Sequence, residues 1–395
     1  VKADDGFAGA GGWDLAAREL GIEARGIENM KEARATRDAA GLVTIHDDVW
    51  TFVPDGAAVG KIDSPPCQTF SAAGKGAGRK ALEDVLRGIR DNYYTSIDHL
   101  HFLGEEVGDS RTSLVLTPLH FATQYDYEWL AWEQVPTVLP VWEACAEVLR
   151  AQGWSVWTGL LQAEMYGVPQ TRKRAFLLAS RTRTVAPPTP THSRYYSRTP
   201  DKLDAGVQKW VSMAEALGWG LSGRAAPTVT GGGTETGGAE PIAKLARYTD
   251  RAHWLQSPSG ITGPCVRPVD HPAATVTGAD NYYAFTSDQW TERNPERDMP
   301  SWCWARPSTT IVGSFKPEIV AAPGYRTTVS RQNAPNSVRV TVHEAGVLQS
   351  FPADYPWQGA KGKQFLQAGN AVPPGLALHA LSAASGVAIE REVAA

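Results

Sequence analysis

The chain has 395 residues, 42% of them apolar, and a formal net charge of −4. That length accommodates one large domain and a smaller one, and the composition excludes a disordered or low-complexity protein. No apolar run of membrane length and no signal peptide stand out, and Cys67, Cys145, Cys265 and Cys303 lie far apart without paired spacing, so neither a membrane span, a disulfide framework nor a zinc or other metal site is expected. The expected setting is a reducing cytoplasm.

From the start of the chain, a polar strand, Val1–Gly6, runs into Gly9-Ala10-Gly11-Gly12 and then Trp13–Gly21. Apolar residues at 13, 16, 17 and 20 share one helical face, and Gly21 fits a C-cap. A strand, a glycine turn and a helix open a doubly wound fold. A second strand, Ala24–Glu28, a helix over 30–40 and a third strand, Val43–Val49, follow. The acids Glu28 and Asp48 lie at strand ends, where open α/β sheets bind ligands. Lys61 interrupts the next apolar strand, and burying it requires a partner or a route to solvent.

Ser64-Pro65-Pro66-Cys67-Gln68-Thr69-Phe70-Ser71 holds the thiol behind two prolines, which restrict φ and remove donors. The Gly-rich residues 72–79 after it read as a mobile cationic loop. Cys67 is therefore either a nucleophile or a small buried hydrophobe at a strand end. Later units repeat the alternation: strand 129–133, helix 141–151, strand 155–162 and strand 174–179. Together they predict a parallel sheet with both faces covered. Pro187, Pro188, Pro190 and Pro200 mark a boundary.

Beyond that boundary, residues 226–231, 273–278 and 308–313 form a weak echo of β-like pieces ending in glycine. Trp254, Trp290, Trp302 and Trp304 are open to either core packing or base contact. A short helix over 344–348, a turn over 351–356, the segment 363–374 and a last helix over 375–391 return to the first domain. Charge is uneven: residues 170–209 hold nine Arg or Lys against two acids, and residues 324–343 hold three Arg and no acid. Such zones face phosphates or simply solvent.

Six blocks, taken in order, resemble the DNA (cytosine-5)-methyltransferases: Phe7–Gly12, Pro66-Cys67-Gln68, Glu133-Gln134-Val135, Gln170–Arg174, Glu344–Pro352 and Gly369–Pro374. The resemblance implies an α/β, Rossmann-like, S-adenosylmethionine-dependent methyltransferase sheet with a second, smaller target-recognition domain rich in β structure and loops. It implies a catalytic domain over 1–182, target recognition over 183–338 and a C-terminal return over 339–395. The cofactor would meet Phe7, Gly9, Gly11, Glu28, Asp48, Val49, Pro66, Leu114, Asn370 and Val372. An acid at the second strand end also suits a ribose diol on chemical grounds, since it accepts two hydrogen bonds; helix-start capping before Asn29 is the other reading of Glu28.

In the mechanism so implied, Cys67 adds to cytosine C6, Glu133 holds N3 and the exocyclic amine, and Arg174 with Arg172 holds O2. The base must leave the duplex, and Ser71, Lys75 and Arg79 in the loop over 69–80 are the candidates to fill the gap or hold phosphates. The implied partner is double-stranded DNA, met by a monomer in a cytoplasmic, nucleoid-associated setting of a bacterial or phage restriction-modification system. RNA cytosine methylation and a weakly active DNA-binding relative are the alternatives.

Several positions depart from the family pattern. Gln134 replaces an Asn, His343 an Arg, Gly6 a Leu, and residues 80–108 form an insertion absent from compact members.

Overall fold

The computed structural model describes residues 1–66, 76–218, 254–256, 266–268, 302–311, 319–320 and 338–390; residues 76–80, 254–256, 266–268, 304, 319 and 338–339 are described as backbone only. In chain order the first half gives β1 (Lys2–Gly6), α1 (Gly12–Glu19), β2 (Glu23–Ile27), α2 (Lys31–Ala39), β3 (Val43–His46) and β4 (Gly60–Asp63). Helices α3 (Gly76–Arg90), α4 (Ile97–Val107) and α5 (Thr117–Gln124) lead to β5 (Trp129–Gln134), α6 (Leu139–Ala151), β6 (Ser155–Gln162), β7 (Gln170–Thr171) and β8 (Lys173–Ser180). Later come α7 (Met213–Leu217), α8 (Trp302–Ala305), α9 (Val342–Leu348), α10 (Lys361–Asn370) and α11 (Pro374–Ser385).

Seven strands make one sheet in the order β3-β2-β1-β4-β5-β8-β6. The first five are parallel, as expected, but β8 runs antiparallel to both β5 and β6. The strand order reverses between β1 and β4, so a ligand crevice belongs at the C-terminal ends of those two strands. The loop Phe7–Gly12 leaves one end and Ser64-Pro65-Pro66 leaves the other.

Each face of the sheet is covered. One carries a core from Ile27, Leu130 and Trp132 to Val85, Ile89, Leu100 and Leu103 of α3 and α4. The insertion 80–108 is thus a helical pair built into the core. The other face packs Trp13, Ala16 and Ala17 of α1 with Leu376, Ala380 and Leu381 of α11. A third cluster joins Ala10, Met213, Trp302, Ile311, Leu348 and Phe365. Trp302 is therefore core.

Some expected boundaries shift. The helix over 76–90 begins inside the segment read as a loop. Strand β3 ends at His46, which leaves Asp48 and Val49 in the following turn. The last helix ends at Ser385 because Gly386 adopts φ 80° as a left-handed cap. Of the three echoes, 226–231 and 273–278 lie outside the described residues. Ser308–Thr309 is a two-residue strand paired with β7.

The polar first strand is largely buried, and Asp4 is paired across the sheet. Arg25 Nη2 donates to Asp4 Oδ1 at 2.6 Å and Arg25 Nη1 to Asp55 Oδ2 at 2.8 Å, while the Tyr127 hydroxyl donates to Asp4 Oδ2 at 2.9 Å. On the opposite face Arg37 donates two bonds of 2.7 Å to Asp14. Burial and the nearby Asp14 push Asp5 well above the usual carboxylate range. Lys61 finds its partner two residues on, at 2.5 Å from Asp63 Oδ1, with both side chains fully buried.

Candidate active site

The site is assembled from strand ends along the carboxyl edge of the sheet. Asp63 pairs with Trp132 in the β4–β5 register, so Ser64 leaves β4 beside Glu133 near the end of β5. The antiparallel β8 pairs Gln134 with Ala175 and so brings Arg174 to the same edge. Three segments distant in sequence converge there.

Glu133 is 5% exposed. Its Oε1 lies 2.8 Å from Arg174 Nε, and its carboxyl also hydrogen-bonds the Ser64 side chain. Ser64 Oγ in turn accepts from Trp13 Nε1 at 2.9 Å. Burial pushes the Glu133 carboxyl above its ordinary range, while Arg174, Arg172 and Ser64 pull it back. Sequence reasoning missed Ser64 and Trp13, since nothing in their spacing links positions 13, 64 and 133.

Gln134 donates from its side-chain amide to the Pro65 carbonyl and accepts from the Val135 backbone N–H. The longer arm of Gln relative to Asn still clamps the proline pair that leads to Cys67. Pro66 is the last described residue of that segment; Cys67, Ser71 and Lys75 lie outside the described residues, as does the side chain of Arg79.

The two arginines separate in role. Arg174 faces Glu133, whereas Arg172 is 2% exposed and donates to the Ala371 carbonyl at 3.1 Å and the Ile311 carbonyl at 3.4 Å. Arg172 thus ties residues 302–311 and the C-terminal return to the sheet. Gln170 reinforces this: its amide donates to the Leu348 carbonyl at 3.0 Å and its carbonyl accepts from Ile311 N at 2.9 Å.

On the β1 side the glycine loop is tightly wound. Phe7, Gly9 and Gly11 have φ of 62°, 55° and 97°. A side chain on Gly11 would run into Leu42, and one on Gly12 would lie 2.1 Å from the Val372 carbonyl. The C-terminal return therefore closes directly on this loop, and the Tyr355 hydroxyl donates to the Ala10 carbonyl.

Glu28 accepts from Gly9 N and Met30 N, each at 2.7 Å. Its two oxygens are pinned by backbone and keep further lone pairs for hydroxyl donors. Burial raises its carboxyl, and those two backbone bonds lower it. Phe7, Leu114 and Trp50 are partly buried against the apolar cluster that includes Val49, and Asp48 Oδ1 accepts from Trp50 N at 2.9 Å. Val372 is buried, while Asn370 is exposed. A glycine cradle, a pinned acid and an apolar wall fit a nucleoside carrying an amino-acid tail.

Among the described residues no group of three or more His, Cys, Asp or Glu side chains is placed to hold a metal ion, and no helix is long and apolar enough to cross a membrane. Cys145 and Cys303 are free and buried, and burial pushes both thiols up.

Comparison with known proteins places the chain in a family. The family model for the C-5 cytosine-specific DNA methylases matches residues 107–384. The type II methyltransferase M.HgiDI of Herpetosiphon aurantiacus is 22% identical over 387 residues, covering 95% of this chain and 92% of that protein. A putative type II methyltransferase of Oceanobacillus iheyensis, M.OihORF3336P, is 23% identical over 380 residues, covering 80% and 77%. Among solved structures, the Dnmt2 methyltransferase of S. pombe superposes with a TM-score of 0.53 at 13% identity, covering 97% of each chain. The Entamoeba histolytica methyltransferase EhMeth gives 0.51 at 12% identity, again covering 97% of each. These two likenesses speak for the fold.

Proposed function

The chain belongs to the C-5 cytosine-specific DNA methylase family, a DNA cytosine methyltransferase, and we propose that it acts on a cytosine flipped from a specific duplex sequence, through a transient bond from Cys67. The observation that carries this reading is the convergence of Glu133, Arg174 and the clamped Pro65-Pro66 segment at the sheet's switch point. S-adenosylmethionine, when bound, supplies an electrophilic methyl group.

The chain's own residues do the rest. Cytosine C5 is a weak nucleophile, and attack of the Cys67 thiolate at C6 makes C5 electron-rich. Glu133, hydrogen-bonded to N3 and the exocyclic amine, stabilises the charge that develops on the ring. Arg174 orients Glu133 and faces O2, while Arg172 holds the C-terminal return in place. After methyl transfer, loss of the C5 proton lets the Cys67–C6 bond break and restores aromaticity.

Glu28 takes the ribose hydroxyls, Gly9 and Gly11 admit the methionine portion, and Phe7, Asp48, Val49 and Leu114 receive the adenine. Pro66, Asn370 and Val372 border the same pocket. Ser71, Lys75 and Arg79 are the candidates to meet the vacated duplex position. Residues 183–338 form the recognition segment between the catalytic part, 1–182, and the return, 339–395. The related proteins named as type II methyltransferases support a place in restriction-modification.

Trapping tests the covalent step. Duplex DNA containing 5-fluorocytosine, incubated with the full chain and cofactor, should leave a stable protein–DNA adduct mapped to Cys67 by mass spectrometry. Cys67→Ala should leave none while still binding cofactor. An adduct-free wild-type protein that nonetheless methylates ordinary DNA would remove Cys67 from the mechanism.

A further inference from the structure

A basic loop stands on the same carboxyl edge as Glu133 and Arg174, and no step above uses it. Residues 191–210 close on themselves through a parallel bridge between His192 and Gln208, with Ser193 N donating to the Gln208 carbonyl at 2.7 Å and Gln208 N to the Thr191 carbonyl at 3.0 Å. The base of the loop is fixed to the turn after β6: Thr191 N and His192 N both donate to the Met165 carbonyl at 3.0 Å.

Asp204 organises the tip. It accepts from the Tyr196 hydroxyl at 2.7 Å, Arg194 N at 3.0 Å and Ser193 Oγ at 3.3 Å. The Tyr196 ring carries two cations, Lys202 Nζ at 4.2 Å from its centroid and the Arg194 guanidinium at 5.3 Å. Arg194, Arg198, Lys202 and Lys209 are all exposed. Among the described residues neither Arg194 nor Lys202 forms a salt bridge.

Position gives this cluster its meaning. Gln162, at the end of β6, pairs with Lys173, which precedes Arg174. Glu164, in the turn that follows, is 2% exposed and feels both Lys173 and Arg194. Loop and catalytic edge therefore share one rim, and a duplex delivering a base to Glu133 lies against that rim.

We infer that the loop 191–210 is a phosphate clamp, with Arg194 and Lys202 on Tyr196 gripping the DNA backbone beside the flipped base. This inference rests on the DNA reading of the preceding subsection. Cations held on a ring and a rigid tip lose little freedom on binding, so their contacts position the duplex without reading its sequence.

The test is salt-dependent binding of the full chain, loaded with S-adenosylhomocysteine, to a labelled mixed-sequence duplex. Each phosphate contact removed lowers the slope of log affinity against log salt by about one. Arg194→Gln/Lys202→Gln should lower it by about two and weaken binding roughly tenfold at physiological salt, with S-adenosylhomocysteine affinity unchanged as the folding control. Asp204→Ala separates a clamp from mere charge. Removing an acid tightens binding if only net charge matters, whereas loosening a built tip weakens it.

An unchanged slope in the double variant, or tighter binding by Asp204→Ala, overturns the clamp. If the wild-type chain nonetheless binds the duplex with salt-dependent affinity, the clamp alone has failed. If wild type shows no salt-dependent affinity for DNA, the clamp falls together with the reading beneath it.

Discussion

Lys61, Asp63 and Gly6 show how a charge enters a central strand. A side chain on Gly6 would lie 2.0 Å from Asp63 Oδ1 and 2.8 Å from Lys61 Nζ, so the glycine on β1 is the room in which the β4 pair fits. Gly26 on β2 houses the Arg37 guanidinium in the same way. The Ile62 carbonyl, at 3.1 Å, and the Phe121 ring, at 5.0 Å, also meet the Lys61 ammonium.

Removing one partner should cost more than removing both. By urea unfolding at pH 8, Lys61→Met is expected to destabilise by about 3–5 kcal/mol, and Lys61→Met/Asp63→Ala to recover most of that loss. Equal losses in the single and double variants would contradict a coupled pair. Acidity gives a second signature. Burial pushes Asp63 up to about 7 from an ordinary 3.8, against the pull of Lys61. Between about pH 4 and pH 7 the unfolded chain releases a proton that the folded chain keeps, so this group's contribution to stability falls as pH rises. The wild-type stability, relative to the double variant, should decline across that window.

At the scale of elements, the site depends on the C-terminal return meeting the glycine loop. Gly12 sits under the Val372 carbonyl with no space for a methyl group. Gly12→Ala should push α1 and the return apart, with a loss of about 1–3 kcal/mol and weaker S-adenosylhomocysteine binding by calorimetry. Gly362→Ala, in α10 with nothing near it, is the control and should be neutral or slightly stabilising. Equal affinity for cofactor product in both variants would dissociate the return from the pocket.

The helices and strands were largely legible before the structure, because their signals are local. Apolar spacing in Trp13–Leu20, the six buried residues of β5 and the glycine caps each follow from a few adjacent residues. What escaped was pairing at long sequence range. The antiparallel run of β8, the Trp13–Ser64–Glu133 chain, the Tyr355–Ala10 bond and the placement of Arg172 under the return all join positions with no periodic relation. The insertion 80–108 reads in the sequence only as a departure from compact members of the family, and its apolar residues at 85, 89, 100 and 103 are the sign that it fills a core face.

For the whole molecule, a net charge of −4 says little about a polyanionic partner; distribution matters more. Several acids lie buried, where Asp4, Asp14 and Asp63 meet Arg25, Arg37 and Lys61, while the 191–210 loop presents Arg194, Arg198, Lys202 and Lys209 to solvent beside the catalytic edge. The polar β1 and the Lys61–Asp63 pair lie in residues 1–106, before the span matched by the family model, 107–384.

The central claim is that this edge methylates carbon 5 of cytosine in duplex DNA. Its most direct test incubates the purified chain with methyl-labelled S-adenosylmethionine and equal amounts of duplex DNA and structured RNA, followed by nucleoside digestion and mass spectrometry. The account predicts label in 5-methyldeoxycytidine alone, absent with Cys67→Ala. Label on an exocyclic amine, in RNA cytosine only, or retained at wild-type rate by Cys67→Ala would contradict it.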